Sequence, residues 1–600
     1  MTTDDERAPA NREDVPPDAI PHLTHAGGAR SESGPPRTDW WVYGIAALVA
    51  LGFVAWGIAS TDSLATTTQS MLDWLITNMG WVFVIASTGM VAFALWLAFS
   101  RYGKIPLGAD GEEPEFRTVS WIAMMFSAGM GIGLIFFGMA EPLMHFMSPP
   151  PGTSEAESDQ AIRTAMSTSM FHWGLHPWSI YAVLGLALGY SCFRRGRPQL
   201  ISSAFFPLFG SKGAKGPGGK LIDMLALFAT LFGSAASLGL GALQIRTGMK
   251  EAGWIESMGN TVLVVIIVVL TCCFILSAVS GVARGIQWLS NINMVLAAVL
   301  AVFLFVVGPT VFILDLVPTT IGSYLEDFPH MISLSGATGG DEMQQYLSSW
   351  TIFYWAWWIS WTPFVGMFLA RISRGRTIRQ FVGGVILVPT LVSLAWFAIF
   401  GGTAINEQRN GGNPFGNGSE EQITFNVLQE LPWTGITSVV VMILVAIFFV
   451  SGADAASIVM GTLSQRGTIE PRRWIVIFWG AATGAVAAVM LVIGGDDALT
   501  GIQNLTFISA LPFTIVLVLL CVSLMKDLRS DPMMRRAVKG DEILESAVVR
   551  GATEEWEDFQ LEVSELSEAE IGASGVGVSG NGGSGNGRRP DGRVSQPDRA

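Results

Sequence analysis

Long apolar runs recur along this chain, and each run is long enough to cross a bilayer as a helix. A transmembrane helix needs about 20 apolar residues at about 1.5 Å per residue. Half of all residues are hydrophobic and 14% are charged, which excludes an ordinary soluble enzyme. The sequence therefore predicts an all-α polytopic membrane protein with about twelve transmembrane helices. The runs lie near 41–61, 80–100, 120–142, 166–192, 221–246, 261–281, 292–317, 349–370, 381–402, 435–462, 472–494 and 502–526.

Basic residues are concentrated in the connections that follow even-numbered runs. Examples are Arg101, Arg194, Arg374, Arg472 and Arg529. Loops rich in Lys and Arg stay in the cytoplasm. We therefore expect a multi-pass protein of the cell (plasma) membrane with both termini cytoplasmic.

The two ends of the chain differ in composition from its apolar middle. Residues 1–38 are polar and proline-rich, so a disordered cytoplasmic tail is predicted before a membrane domain at 39–530. Residues 531–570 are predicted as an acidic cytoplasmic segment and a candidate regulatory helix, with a solvated charge run as the alternative. A Gly/Ser-rich disordered tail follows at 571–600. The net charge of −14 and the lack of a basic cluster exclude a nucleic-acid partner.

Glycines occupy alternate positions in the third apolar run. Gly129, Gly131 and Gly133 each cost roughly 1 kcal/mol relative to alanine in a continuous helix. A membrane helix that opens at its middle exposes amides for an anion and carbonyls for a cation. Close helix–helix packing through small residues is the alternative.

Large aromatic residues cluster in the fourth and eighth runs. Trp178 and Tyr181 lie on one helix face at i and i+3, and a kink at Pro177 is expected to turn Trp173 toward them. Inward-facing rings form a box of negative π faces that suits a quaternary ammonium, a cation without hydrogen-bond donors. The eighth run contains five tryptophans, namely Trp350, Trp355, Trp357, Trp358 and Trp361.

These stretches resemble the betaine/carnitine/choline transporter family over roughly residues 40–530. The matching segments are 128–133, 171–178, the family signature Trp-Thr-Ile-Phe-Tyr-Trp-Ala-Trp-Trp at 350–358, and its continuation at 368–375. The resemblance implies that 39–530 is a transporter domain. It also implies a leucine-transporter-type core of two inverted five-helix repeats, spans 3–7 and 8–12, and a homotrimer embedded in membrane lipid.

The same resemblance implies the residues of a substrate site. A central cage would consist of Trp173, Trp178, Tyr181 and Trp358, and Trp361 would line the path to the cytoplasm. Amides around Gly129, Gly131 and Gly133 would meet the substrate carboxylate. Choline and carnitine carriers of the family tend to place a polar or acidic residue at the position of Gly133, so glycine there favours a betaine-type osmolyte.

Two sodium sites are also implied by the resemblance. The first would use Ser127, Met130, Phe448 and Ser451, but Gly452 stands where relatives usually have a second hydroxyl. The second would use Thr230, Ser234 and Phe364. Hydroxyls one turn apart can instead bond back to the i−4 carbonyl.

Other polar residues of the apolar runs carry weaker signals. Glu141, which ends the third run, is interpreted as structural. His172 and His176 have the i, i+4 spacing of metal ligands, but without a third ligand nearby they are interpreted as packing or hydrogen-bonding residues.

The predicted function is import of a quaternary-ammonium compatible solute, with glycine betaine first, by sodium symport in osmoprotection. Within the same family, a proton-coupled choline transporter or an ectoine or proline carrier is the alternative. A membrane sensor that carries no flux is the alternative from another class. An enzyme is not expected because no nucleophile–base pair stands out. No cofactor is expected beyond sodium as the coupling ion.

Overall fold

Helices account for the regular structure in this computed structural model, which describes residues 37–129, 131–256, 259–280, 283–494 and 498–536. These ranges contain no β-strand, and short 3-10 and π turns join some of the helices. The helices are α1 (Trp40–Ala59), α2 (Thr61–Phe99), α3 (Thr118–Gly129), α4 (Ile132–Met147), α5 (Asp159–Trp173), α6 (Leu175–Gly189), α7 (Phe206–Lys215), α8 (Pro217–Glu251), α9 (Asn260–Ser280), α10 (Ala283–Val307), α11 (Thr310–Met331), α12 (Gly336–Leu347), α13 (Phe353–Ile372), α14 (Ile378–Arg409), α15 (Glu420–Gln429), α16 (Thr434–Ser464), α17 (Arg473–Ile493) and α18 (Ala498–Arg529).

Within the described ranges, eight helices are long and apolar enough to cross a membrane. They are α1, α2, α8, α9, α14, α16, α17 and α18, and a ninth span results if α10 and α11, bent by 108°, are counted as one. The chain is therefore a polytopic all-α protein, while the count of twelve spans stays a prediction. The other three predicted runs correspond to the broken pairs α3/α4 and α5/α6 and to α13, whose polar residues and tryptophans lower its mean hydropathy.

The predicted break in the third run is present between α3 and α4. Gly131 is fully extended, with φ −152° and ψ −179°, and α4 begins directly after it. No side chain caps this helix start. Backbone N–H groups at the beginning of α4 are therefore left without intrahelical partners.

The fourth run is also broken, but not where the sequence suggested. The helix stops at Gly174, with φ −98° and ψ −114°, which separates α5 from α6. The predicted kink at Pro177 is wrong, because Pro177 lies in the first turn of α6. In that turn a proline removes no helical hydrogen bond, so it fits without bending the chain.

Helix packing is reciprocal between the first and second halves of the predicted membrane domain. The broken helix α4 packs against α14, and α13 packs against α6. In the same way α8 packs against α16, and α9 against α17. All these helices belong to one compact unit that ends at Met534.

Ion pairs tie the basic loops together at one end of the helices. Arg194 contacts both Asp110 and Asp531, and Arg374 contacts Glu112. Burial would raise the pKa of Asp531, but hydrogen bonds from Arg194 and Tyr190 outweigh burial and lower it. The first residue of the predicted acidic segment, Asp531, is thus fixed to the basic loop after α6. The predicted regulatory helix and Gly/Ser-rich tail from 537 onward, and the first 36 residues of the predicted N-terminal tail, lie outside the described residues.

Candidate substrate cavity

A cavity lies where the two helix breaks meet α8, α13 and α14. The structure brings seven of the predicted site residues together around it: Trp173, Trp178, Tyr181, Trp358, Trp361, Gly131 and Gly133. Gly129 is the last residue of α3, and its surroundings lie outside the description. The remaining lining residues are Leu134, Pro177, Ser237, Trp357, Val365 and Ser393.

Aromatic rings form most of the cavity wall. Trp357 and Trp358 stack with ring centroids 4.8 Å apart, and Trp173 meets Trp358 edge-on at 4.8 Å and 72°. Trp178 and Tyr181 form a second edge-on pair at 5.5 Å. Such an arrangement presents negative π faces to a bound group and is suited to a desolvated cation.

Four of the five indole N–H groups in this wall donate to protein atoms. Trp358 donates to the His172 carbonyl at 3.0 Å, and Trp361 donates to the Gly233 carbonyl at 2.8 Å. Trp357 donates to Ser237 Oγ at 3.2 Å. These bonds fix the rings and leave the π faces as the main recognition surface.

The two described glycines of the broken helix differ in the space that a side chain would find. A Cβ atom on Gly133 would lie 2.7 Å from Trp357 and 2.8 Å from Trp173, closer than real Cβ contacts come. A Cβ atom on Gly131 would meet nothing within 4 Å. The close approach of the backbone to the two indoles therefore requires glycine at position 133. At position 131 no neighbouring atom excludes a side chain.

Comparison with known proteins decides the family. The model of the betaine/carnitine/choline family transporters matches residues 41–533. The chain belongs to this family. Because the members of the family are transporters, the chain is a transporter of a small solute and not an enzyme.

Characterised relatives agree with this assignment over most of their length. A betaine/ectoine transporter of Corynebacterium glutamicum, LcoP, is 45% identical over 92% of this chain and 87% of its own. The glycine betaine transporter OpuD of Bacillus subtilis is 44% identical over 84% of this chain and 96% of its own. Glycine betaine transporter 1 of Vibrio parahaemolyticus is 38% identical over 82% of this chain and 94% of its own.

Several residues of the transporter cavity were not predicted as site residues. Trp357 was noted only as one tryptophan of a cluster, although its i, i+4 spacing from Trp361 places both on one helix face. Ser237 follows the predicted sodium ligand Ser234 by one helical turn. That spacing was a usable signal for a cavity-lining position. Ser393 on α14 had no comparable signal.

A fully buried carboxylate lies directly behind the cavity wall. Glu141 Oε2 accepts hydrogen bonds from the Trp173 indole N–H at 2.6 Å and from the Tyr354 hydroxyl at 2.5 Å. Glu141 Oε1 lies 2.7 Å from His172 Nδ1, and His172 Nε2 lies 3.0 Å from Thr351 Oγ1. The interpretation of Glu141 as structural missed its contact with a wall residue of the cavity.

The described residues include one group with the composition of a metal site. The ligand atoms of Glu141, His145 and His172 lie within 4.8 Å of one another. His176, whose spacing from His172 suggested a metal pair, instead stacks on Trp355 at 4.4 Å, in agreement with a packing role. Both oxygens of Glu141 already accept hydrogen bonds, so the carboxylate is satisfied without an ion.

Residues predicted to hold the first sodium ion are partly described. Ser127 lies on α3, but its side chain and Met130 lie outside the description. On α16 the Ser451 hydroxyl donates to the Phe448 carbonyl at 3.3 Å. A Cβ atom on Gly452 would meet nothing within 4 Å.

Residues predicted for the second sodium ion lie on α8 and α13. Thr230 is fully buried and donates to the Ala226 carbonyl at 2.8 Å, the i−4 bond that the sequence left open. Ser234 is buried one turn later, and Phe364 meets Trp361 edge-on at 5.6 Å. A hydroxyl that donates in this way keeps its oxygen lone pairs for a cation.

Proposed function

We propose that this transporter imports glycine betaine or a closely related quaternary-ammonium osmolyte by sodium symport. The observation that supports the substrate class is the cavity wall of indole and phenol rings. Four of its tryptophans, Trp173, Trp357, Trp358 and Trp361, have their N–H groups bonded to protein atoms. A trimethylammonium group needs no hydrogen-bond partner and gains cation–π attraction from such a wall.

The carboxylate of a betaine has a complementary binding surface in the same cavity, at the start of α4. The uncapped start of α4, directly after Gly131, provides free backbone N–H groups and the positive end of the helix dipole. Gly131 and Gly133 both line the cavity at this point. A zwitterion with a carboxylate on one side and a quaternary ammonium on the other fits both walls.

The reciprocal packing supports the leucine-transporter-type core that the sequence predicted. Two inverted repeats related by a twofold axis would exchange their first two helices, as the α4–α14 and α13–α6 contacts do. We further propose twelve spans, a plasma-membrane location with both termini cytoplasmic, and a homotrimer. The acidic segment at 531–570 remains a proposed osmotic regulator.

Ectoine is the second candidate substrate. The relative from Corynebacterium glutamicum is named a betaine/ectoine transporter. Ectoine also combines a carboxylate with a delocalised cation, so the same two walls would receive it. A proton-coupled choline transporter or a proline carrier of the same family is the remaining alternative.

Uptake into proteoliposomes tests the proposal. Labelled betaine, ectoine, proline, choline and carnitine are supplied separately under an inward sodium gradient and under an equal potassium gradient. We expect betaine uptake with sodium and none with potassium. Sodium-independent uptake would contradict the coupling, a preference for choline would contradict the substrate, and no flux of any solute would indicate the sensor.

A further inference from the structure

We propose that Glu141 is a positioning residue of the cation site, and that its negative charge strengthens the attraction of the aromatic wall for a quaternary ammonium. The inference rests on the proposed function, because it concerns how the same cavity recognises the trimethylammonium group. Glu141 itself is not a lining residue. It reaches the cavity through the Trp173 indole.

Burial of this carboxylate is the first part of the argument. Glu141 has no solvent exposure and lies on α4, at the end of a predicted membrane span. Ionisable groups at membrane depth are expensive and are retained mainly where they serve a function. Three hydrogen-bond contacts, from Trp173, Tyr354 and His172, compensate the cost.

Orientation of the rings is the second part. One oxygen of Glu141 holds both Trp173 and Tyr354, whose rings meet at 69° with centroids 5.5 Å apart. Tyr354 in turn stacks on Trp358 at 5.7 Å and 18°. The carboxylate therefore fixes two rings of the aromatic wall, Trp173 directly and Trp358 through Tyr354.

His172 and Thr351 hold the other side of the carboxylate. With its proton on Nδ1, His172 donates to Glu141 Oε1 and can accept from Thr351 at Nε2. This second contact restricts rotation of the carboxylate. The Trp173 N–H bond consequently has a fixed direction before any substrate enters.

Electrostatics is the third part. A hydrogen bond to an ionised acceptor is roughly twice as strong as a neutral one, and it draws the indole proton toward the anion. The remaining ring becomes richer in electron density, so its face attracts a cation more strongly. A ligand of the same shape with an uncharged group in place of the cation gains no attraction from this charge, and that difference separates an electrostatic role from a merely structural one.

The test compares two probes of nearly equal shape on purified full-length protein in detergent. Glycine betaine carries a trimethylammonium group, and 3,3-dimethylbutanoate carries a neutral tert-butyl group in its place. The variants are Glu141→Gln and Asp223→Asn. Asp223 is a matched control because it is a buried carboxylate on α8 that accepts hydrogen bonds from the Ser202 backbone N–H and hydroxyl, and it does not line the cavity.

We expect Glu141→Gln to weaken betaine binding about tenfold while 3,3-dimethylbutanoate stays within twofold, and Asp223→Asn to change neither. Equal loss of both probes would show that Glu141 only holds the fold of the cavity. Unchanged betaine binding would show that its charge is irrelevant. Either result would overturn the inference while leaving betaine binding by the parent, and thus the proposed function, intact. Failure of the parent to bind betaine would instead contradict the proposed function.

A second set of variants keeps the inference testable if Glu141→Gln does not fold or if neither protein binds 3,3-dimethylbutanoate. Trp173→Phe removes the N–H that joins the cavity wall to Glu141, and Tyr354→Phe removes only the second donor. Trp173→Phe should abolish most of the effect of Glu141→Gln on betaine binding in a double-mutant cycle. Tyr354→Phe alone should weaken betaine binding about threefold. The inference would be overturned if the effects of Glu141→Gln and Trp173→Phe were additive. If no cycle can be measured, full betaine affinity in Tyr354→Phe would overturn it.

Discussion

The start of α4 and the middle of α13 line the same cavity with opposite chemistry. The start of α4 contributes the glycine backbone around Gly131 and Gly133, whereas α13 contributes Trp357, Trp358 and Trp361. In the proposed repeats the two helices are counterparts. Under the proposed function, their difference lets a symmetric scaffold bind an asymmetric ligand, because one wall would offer amides to an anion and the other π faces to a cation.

The two walls should therefore fail in opposite ways. On the glycine wall, added atoms are harmful because the indoles already lie against the backbone at Gly133. On the aromatic wall, removed atoms are harmful because each ring carries part of the recognition surface. If an added methyl group at Gly133 or the loss of a ring from the aromatic wall left betaine binding unchanged, the comparison would be wrong.

The largest effect is expected from Gly133→Ala. The added methyl group would overlap Trp357 and Trp173, and overpacking of this kind costs about 3 kcal/mol. We expect betaine affinity, measured by isothermal titration calorimetry, to fall roughly a hundredfold. Gly383→Ala on α14 is the matched control, since its methyl group would meet nothing within 4 Å and Gly383 does not line the cavity, and it should stay within about threefold. Equal effects at the two positions would refute the assignment of the close contact to Gly133.

A smaller loss is expected from removing a ring of the aromatic wall. Trp358→Ala should weaken betaine binding by about 2 kcal/mol, the scale of a desolvated cation–π contact. Trp355→Ala is the control on the same helix, because Trp355 is buried against His176 and does not line the cavity. Binding of betaine to Trp358→Ala within twofold of the parent would remove Trp358 from the substrate site.

Site residues that belong to a recognisable local pattern or family motif could be predicted from the sequence. Alternating glycines predicted the break before α4, and the family resemblance selected Trp173, Trp178, Tyr181 and Trp358, which the structure places around one cavity. Local chemistry was sufficient there, because a glycine-rich stretch weakens a helix wherever that helix lies.

Features that depend on contacts between helices could not be predicted in the same way. Glu141 and Trp173 are 32 positions apart and belong to different helices, so no spacing rule connects them. The fourth run breaks at Gly174 and not at Pro177, because a proline is harmless in the first turn of a helix. Helical spacing places Trp357 beside Trp361, but it also places Trp355 beside Trp358, so spacing alone does not decide which of Trp355 and Trp357 faces the cavity. The neighbours of α13 decide it.

The smallest effects are expected at the two predicted sodium sites. They extend the comparison of the two walls, because one predicted site is assigned beside each wall. The site on α16 pairs with the glycine wall, and the site on α8 pairs with Phe364 of the aromatic helix. Hard cations are held by the number and charge of their oxygen ligands. Ser451→Ala and Thr230→Ala should therefore each raise the sodium concentration for half-maximal betaine uptake about threefold.

Gly452→Ser is the variant that sharpens this last prediction. The added side chain has open space at Gly452, so it can provide a further hydroxyl oxygen and should lower the half-maximal sodium concentration. Ser457→Ala is the control on the same helix, since the Ser457 hydroxyl also bonds back to a carbonyl one turn earlier but belongs to neither predicted site. The uptake curves are measured at saturating betaine with potassium replacing sodium. If Ser457→Ala shifts the curve as much as Ser451→Ala does, the hydroxyls on α16 act through helix stability and not through the ion.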